Sequence, residues 1–240
     1  MQFFAAFGFL FIALPYLQLV LGYSPLQAAG ALLPMALVVI PLSRFAPQIA
    51  GRVGVRVTGP VGLGLMAIGF PIFSTLGTSA SYWHFLAGLL PFGAGMALSG
   101  SPATTAIVAS LPREKQGVAS AMNDVSRELG GALGIAVLGS VLNSAYRSSI
   151  DQHTSALPAA LADTARGTVG AAQAIGRRFG APELVAQANS AFVHGVSLAL
   201  LAGAAVLVGG AIFVAARAPG RAESEANAGV EAAPSPSLQV

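Results

Sequence analysis

The chain has 240 residues, of which 55% are hydrophobic and only 9% are charged, and its formal net charge is +3. Soluble domains carry about 25% charged residues, so this composition excludes an ordinary water-soluble domain and favours a membrane protein. Cysteine is absent, which excludes a disulfide framework and a thiolate metal site.

Six stretches are long and apolar enough to cross a membrane, which takes about 20 mostly apolar residues. We expect an all-α integral membrane domain over residues 1–217, followed by a polar, proline-dotted tail over 218–240 that should be disordered. The loop 146–191 should lie outside the membrane, and its alanine content allows short external helices. The predicted spans are about Gln2–Leu21, Gly30–Ala50, Thr58–Leu76, Tyr82–Ser110, Gly117–Asn143 and Phe192–Ala216.

Lysine and arginine alternate between the short loops. They occur after the second and fourth spans and after the last span, whereas the other short loops carry none. Because cytoplasmic loops are enriched in these residues, the pattern predicts that both termini are cytoplasmic. The residues concerned are Arg52, Arg56, Arg113, Lys115, Arg217 and Arg221.

Several residues inside the first four spans are candidates for function. Tyr16 and Gln18 lie in the outer half of the first span and could bond a ligand or, more commonly, a neighbouring helix. Arg44 in the second span is expected to reach the cytoplasmic surface through its flexible side chain. Pro102, among small residues in the fourth span, predicts a kink with close helix packing, and cavity lining is the secondary interpretation.

The fifth span begins with three charges, Asp124, Arg127 and Glu128, directly before an apolar run. This run, residues 129–142, is about 21 Å long at 1.5 Å per residue, which is short of the roughly 30 Å hydrocarbon core. The span must therefore extend back to about Asn123. Arg127 and Glu128 then lie just inside the cytoplasmic boundary of the membrane.

The charged turns of the fifth span have two interpretations. A charge at this depth should face protein or water and have a partner, and Asp124 is placed for an ion pair with Arg127. Asn123 and Arg127 continue the helix face of Gly130 and Gly134, whose spacing lets another helix approach closely. The cluster could line or gate the cytoplasmic mouth of a transport path, or it could anchor the helix at the interface.

No catalytic constellation or phosphate-binding loop occurs in the sequence. The three histidines are far apart and lack metal-ligand spacing. We therefore expect no enzyme activity, no cofactor, no metal and no nucleic-acid partner.

Four segments together resemble a known family. They are "YLQLVLGYSPLQAAGALLP", "APQIAGRVGVR", "LPREKQGVASAMNDVSRELGGALGIAVLGS" and "AFVHGVSLALLAGAA". The chain resembles the C-terminal six-helix half of a major facilitator superfamily transporter, of the fourteen-helix EmrB/QacA-type drug:proton antiporters. The resemblance extends to about Arg217.

The resemblance implies that two six-helix halves enclose a cavity and alternate access by rocking, each half being two inverted three-helix repeats. It implies proton-coupled efflux of small amphipathic compounds across the plasma membrane. The chain would be a fragment, incomplete in the lipid bilayer without the N-terminal half or a second copy. The alternative is a non-transporting membrane module for assembly or regulation.

The resemblance also covers a cytoplasmic loop motif. The segment "IAGRVGVR" keeps Arg52, Gly54 and Arg56, whereas Gly51 stands where the family has an acidic residue. This departure implies that the acid's gating pair is missing from this loop.

Overall fold

A computed structural model describes residues 1–109, 116–154 and 157–217, with the backbone alone described at residues 101–109 and 116. All regular structure in these ranges is helical. The tail that we expect to be disordered lies outside the described residues. The helices are α1 (Gln2–Pro15), continued by a π-helical turn (Tyr16–Val20), α2 (Pro25–Val53), α3 (Val55–Ser74), α4 (Tyr82–Ala109), α5 (Gln116–Thr154), α6 (Ala159–Gly167), α7 (Val169–Arg178) and α8 (Pro182–Arg217).

Five helical segments among the described residues are long and apolar enough to cross a membrane. The fourth predicted span corresponds to α4, whose 28 residues exceed the length needed for a span, but it is not one of the five. A sixth span therefore remains a prediction. The five segments are Gln2–Val20, Pro25–Val53, Val55–Ser74, Gly117–Thr154 and Pro182–Arg217.

The long helices form a bundle in which α3 packs against α4 and α8, α5 packs against α1 and α8, and α2 packs against α4. Helices α1 and α5 run parallel, because Phe3 faces Gly130 and Phe11 faces Gly139. The start of α3 lies at the same end of the bundle as the starts of α1 and α5, because Arg56 and Met1 both contact the end of α8. We call this the basic end, after Arg52, Arg56 and Arg217; the opposite end, where α6 and α7 lie, is the capped end.

An aromatic cluster joins α1, α3 and α4 in the core. The ring of Phe9 lies 4.7 Å from those of Phe73 and Phe92, and Phe70 stacks on Phe92 at 5.3 Å. Such pairs contribute about 0.5–1.5 kcal/mol beyond the burial of their area. Between membrane helices, where lipid is as apolar as leucine, this kind of packing is a main source of stability.

The regular α1 hydrogen-bond pattern ends at a proline. Pro15 lacks the N–H that would donate to the preceding turn, and a π-helical turn follows it, closed by Leu21 N donating to Tyr16 O at 3.2 Å. Gly22, with φ 73°, then reverses the chain. Ser24 starts α2 with a capping box in which Ser24 Oγ accepts from Gln27 N.

Helices occupy much of the segment that we predicted as a loop, residues 146–191. Helix α5 continues to Thr154, two short helices follow, and α8 begins at Pro182 rather than at Phe192. The helices exceed the predicted spans because hydropathy measures the apolar run, whereas a helix continues through polar residues. We call α6 and α7 the cap.

Candidate functional site

The charged turns of α5 lie at the basic end. Arg127 Nη2 lies 3.5 Å from Asp124 Oδ1, with the two side chains 46% and 58% exposed. Glu128 is also exposed, and Asn123 is half-buried. The expected local ion pair is therefore present, on a surface that the described part of the chain leaves open.

The glycine face of α5 begins one turn after Arg127 and packs on α1. An added Cβ at Gly130 would lie 3.3 Å from Phe3 Cβ, and one at Gly134 would lie 2.8 Å from Phe4 Cα. Only glycine permits the backbones to approach so closely at Gly134. The two glycines thus have a packing role, and Arg127 lies beyond the end of this contact.

The loop-motif residues join three helices at the basic end. Gly54 ends α2 and begins α3 with φ 89° and ψ 151°, a conformation that favours glycine. Arg56 Nε donates to Ala215 O at 2.9 Å, so its positive charge lies at the C-terminus of α8, where the helix dipole attracts cations. Arg52 is exposed near the end of α2.

The polar candidates of the first span lie at the capped end. Tyr16 is 1% exposed, and its hydroxyl donates to Gly77 O at 2.8 Å, which connects the π-helical turn to the loop that follows α3. The hydroxyl thus bonds to the backbone of a neighbouring segment of the chain, and a ligand contact of Tyr16 stays a prediction. Gln18 is half-buried on the π-helical turn. The side chain of Pro102 lies outside the described residues.

Sequence reasoning missed the residue that connects the cap to the first span. Gln173 in α7 is 3% exposed, and its Nε2 donates to Leu19 O at 2.7 Å and to Asn189 Oδ1 at 2.6 Å. The C-terminal carbonyls of a helix lack intrahelical partners, and Gln173 satisfies one of them. A signal was present, since Gln173 is a polar residue on the apolar face that Val169 and Ala172 begin.

Two further contacts attach the cap to α5. The Tyr146 hydroxyl donates to Ala165 O at 2.8 Å in a buried position. Arg166 Nε lies 2.7 Å from Asp151 Oδ1. Contacts within this chain therefore attach the cap to α5 and to the end of the first span.

A cavity of about 410 Å³ lies between the cap and the bundle. Three spans and the α6–α7 junction form its walls, and all of its lining residues are uncharged. The lining residues are Phe11, Pro15, Leu19, Gly139, Leu142, Asn143, Tyr146, Gly167, Thr168, Val169, Gly170 and Phe192.

Long apolar helices packed through glycines and aromatic rings define an integral membrane protein of the helical-bundle class. The model of the Major Facilitator Superfamily matches residues 1–135, more than half of the chain. The chain therefore belongs to the Major Facilitator Superfamily, a family of transporters and not of enzymes.

Three similar proteins carry names that refer to drug resistance or efflux. Over 209 residues, or 85% of the chain, it is 31% identical to the multidrug efflux pump LfrA of Mycolicibacterium smegmatis. It is 35% identical over 153 residues, or 63% of the chain, to the multidrug resistance protein Stp of Mycobacterium tuberculosis. It is 36% identical over 149 residues, or 60% of the chain, to the methyl viologen resistance protein SmvA of Salmonella typhimurium. These matches cover only 41%, 28% and 29% of the relatives' own lengths.

Proposed function

We propose that the chain forms the C-terminal six-helix half of a secondary carrier of the EmrB/QacA type, which exports amphipathic compounds in exchange for protons. The observation that carries this proposal is the similarity to LfrA over 85% of the chain. Membership of the Major Facilitator Superfamily supports a transport function, and the names of the relatives favour drug-like substrates.

Two open helices support the need for a second six-helix bundle. In their most apolar stretches, 11% of the residues of α2 and 22% of those of α5 are buried, against 44% in α3. Lipid could cover apolar side chains, but a charged side chain inside the membrane should face protein or water. The exposed Arg127 on α5 therefore favours a protein or an aqueous path on this side, supplied by an N-terminal half or by a second copy of the chain.

The proposed division of roles follows from the contacts. Arg127, with Asp124 as its partner and with Asn123 and Glu128 beside it, would form or gate the cytoplasmic mouth of the path. The Tyr16 hydroxyl is engaged by Gly77 and would hold the helices together, whereas Gln18 remains a candidate for substrate contact.

We place the basic end, with Arg52, Gly54 and Arg56, in the cytoplasm of a plasma-membrane protein.

Cysteine labelling tests this orientation, because the chain has no cysteine of its own. Gly51 and Gly117 have open space around an added Cβ, and Ala160 is exposed on the cap. We expect Gly51→Cys and Gly117→Cys to react with a membrane-impermeant maleimide only from the cytoplasm, and Ala160→Cys only from outside. Labelling of Gly51→Cys from outside would overturn the orientation.

A flux assay tests the function. We expect proteoliposomes that contain the chain together with an N-terminal half to transport an amphipathic cationic dye in exchange for protons, and those with the chain alone to be inactive. Arg127→Ala should reduce flux while membrane insertion persists, and Arg178→Ala, an exposed arginine of the cap, should not. If no pairing transports, the non-transporting module becomes the better interpretation. Full activity of the chain alone would refute the need for an N-terminal half and leave a second copy of the chain as the partner.

A further inference from the structure

The cavity between the cap and the bundle has the size and the lining of a small-molecule site. Its volume of about 410 Å³ falls within the range of roughly 300–1,000 Å³ that is usual for ligand pockets. The rings of Phe11, Tyr146 and Phe192 line it, and none of the described residues in its walls is charged. Such a lining favours an uncharged aromatic group, because ring contacts add to the burial of apolar area and a charged group would lose its water.

Buried hydrogen bonds fix the walls of the cavity. The Tyr146 hydroxyl donates to Ala165 O at 2.8 Å, which holds α6 against α5. Gln173 Nε2 donates to Leu19 O at 2.7 Å, which holds α7 against the π-helical turn. Tyr146 and Leu19 themselves line the cavity, so a ligand would meet walls that are already in place and need little reordering.

Asn143 supplies a polar group that a ligand can use. It lines the cavity and is exposed, and none of the described residues forms a hydrogen bond with its side chain. The Tyr146 hydroxyl, in contrast, is already engaged by Ala165 O. The Asn143 amide oxygen is therefore available to accept a hydrogen bond from a ligand N–H or O–H group, which would orient an aromatic ligand in the cavity.

The cavity lies beyond the middle of the membrane, toward the capped end. The expected span of α5, residues 123–142, has its middle near Leu133. Gly139 and Tyr146, the first and last cavity residues of α5, lie about 9 Å and 20 Å beyond Leu133 at 1.5 Å per residue. Substrate sites of secondary transporters lie near the middle of the bilayer, so this cavity is a separate site, closer to the capped end.

We propose that the cavity is an exit subsite of the transport path, which binds the uncharged aromatic part of an exported compound and accepts a hydrogen bond from it at Asn143. This inference rests on the proposed function, which gives the exposed side of α5 to the second half and the path. A charged part of the same compound would stay outside the cavity. A side chain of the second half is the poorer occupant, because it would obstruct the path at its outer end.

Photolabelling of the full chain alone tests the site without transport. The probe is phenylnaphthylamine, a neutral aromatic amine, that carries a diazirine, and the chain is reconstituted in phosphatidylcholine vesicles. We expect adducts on residues 139–146 and 167–170 that saturate with probe concentration and disappear with excess unlabelled phenylnaphthylamine. Partition into lipid does not saturate, so cavity adducts that rise in proportion to the probe, as on the exposed face of α2, would overturn the proposal.

Addition of an N-terminal half separates the two occupants. Saturable cavity adducts should persist when the two halves are reconstituted together, and their loss would show that the second half fills the cavity, which would refute the subsite. Labelling without flux would contradict the proposed function and leave the binding site standing. Flux without saturable labelling would refute the subsite alone.

A cavity-filling variant has a matched control. At Gly170, an added Cβ would meet only Leu19 Cδ1, at 3.9 Å, so a larger side chain can grow into the cavity. Gly170→Leu should abolish the saturable adducts, whereas Gly209→Leu, at an open position on α8, should not. Gly167→Leu fills the same cavity and serves if Gly170→Leu folds poorly; adducts that persist in both variants would refute the site.

Flux tests whether the cavity belongs to the path. With an N-terminal half present, Gly170→Leu should lower the flux of an aromatic cationic dye severalfold, and Gly209→Leu should leave it unchanged. Unchanged flux in a Gly170→Leu variant that no longer labels would place the cavity off the path and overturn its role as an exit subsite.

The contact at Asn143 has its own test. We expect Asn143→Leu to raise the half-saturating concentration of the phenylnaphthylamine probe about fivefold, the usual net effect of one hydrogen bond. A diazirine-bearing benzylnaphthalene, in which a methylene replaces the amine, should bind both proteins equally well. An equal effect of Asn143→Leu on the two probes would exclude the hydrogen bond.

Discussion

The two ends of the bundle are held together by different kinds of contact. At the capped end, buried side chains bond to the backbone of other helices: the Tyr146 hydroxyl to Ala165 O, and Gln173 Nε2 to Leu19 O. A buried polar group that loses its partner costs about 1–3 kcal/mol. These contacts should therefore keep the cap, α5 and the end of α1 together as a unit.

At the basic end, the contacts of Arg56 and Arg127 are exposed. Arg56 bonds to the last turn of α8, and the ion pair of Arg127 with Asp124 lies within one helix. Exposed ion pairs contribute only about 0–1 kcal/mol, because water competes for both charges. The comparison indicates that these charged contacts of the basic end can rearrange at lower cost than the buried contacts of the capped end, as the proposed gate would require.

The largest effect on stability should come from the packing between α1 and α5, two helices that run from the basic end to the capped end. Gly134→Leu would drive a side chain into the Phe4 backbone, and overpacking of this kind costs about 1–3 kcal/mol or more. We expect a clear fall in the unfolding temperature in detergent. Gly209→Leu, at an open position on α8, is the control, and equal unfolding temperatures for the two variants would contradict the close packing at Gly134.

Gln173→Leu should loosen the capped end alone. The substitution leaves Leu19 O and Asn189 without their partner, at a cost of about 1–3 kcal/mol. Amide hydrogen exchange should accelerate in α7 and the π-helical turn and stay unchanged in α3. The control is Gln187→Leu at an exposed position on α8; faster exchange at both ends would abolish the distinction between them.

The contrast between the ends also explains what the sequence could predict. Hydropathy located α1 and α3 closely, because the length of an apolar run sets the length of a span. The pair of Asp124 with Arg127 followed from local helix geometry. Gln173, however, bonds to a carbonyl 154 residues away, and no local pattern specifies such a partner.

Arg56→Gln should have a smaller effect, confined to the basic end. It weakens a charge-assisted bond to the C-terminus of α8, and a cation at such a position contributes about 0.3–1 kcal/mol. We expect slightly faster amide exchange in the last turn of α8. Arg178→Gln, which removes an exposed charge from the cap, should leave that turn unchanged, and an equal response to both variants would show that Arg56 acts only through net charge.

The smallest effect on stability should come from the pair in α5. We expect a double-mutant cycle of Asp124→Asn and Arg127→Gln to give a coupling free energy of about 0.2–0.5 kcal/mol, typical of exposed helix pairs. The cycle is measured from the free energies of unfolding of the unsubstituted protein, the two single variants and the double variant. A coupling above about 1 kcal/mol would mean that water does not screen the pair. The basic end would then be held as firmly as the capped end, and a loss of transport in Arg127→Ala could be a folding effect. With weak coupling, the same loss would point to the gate.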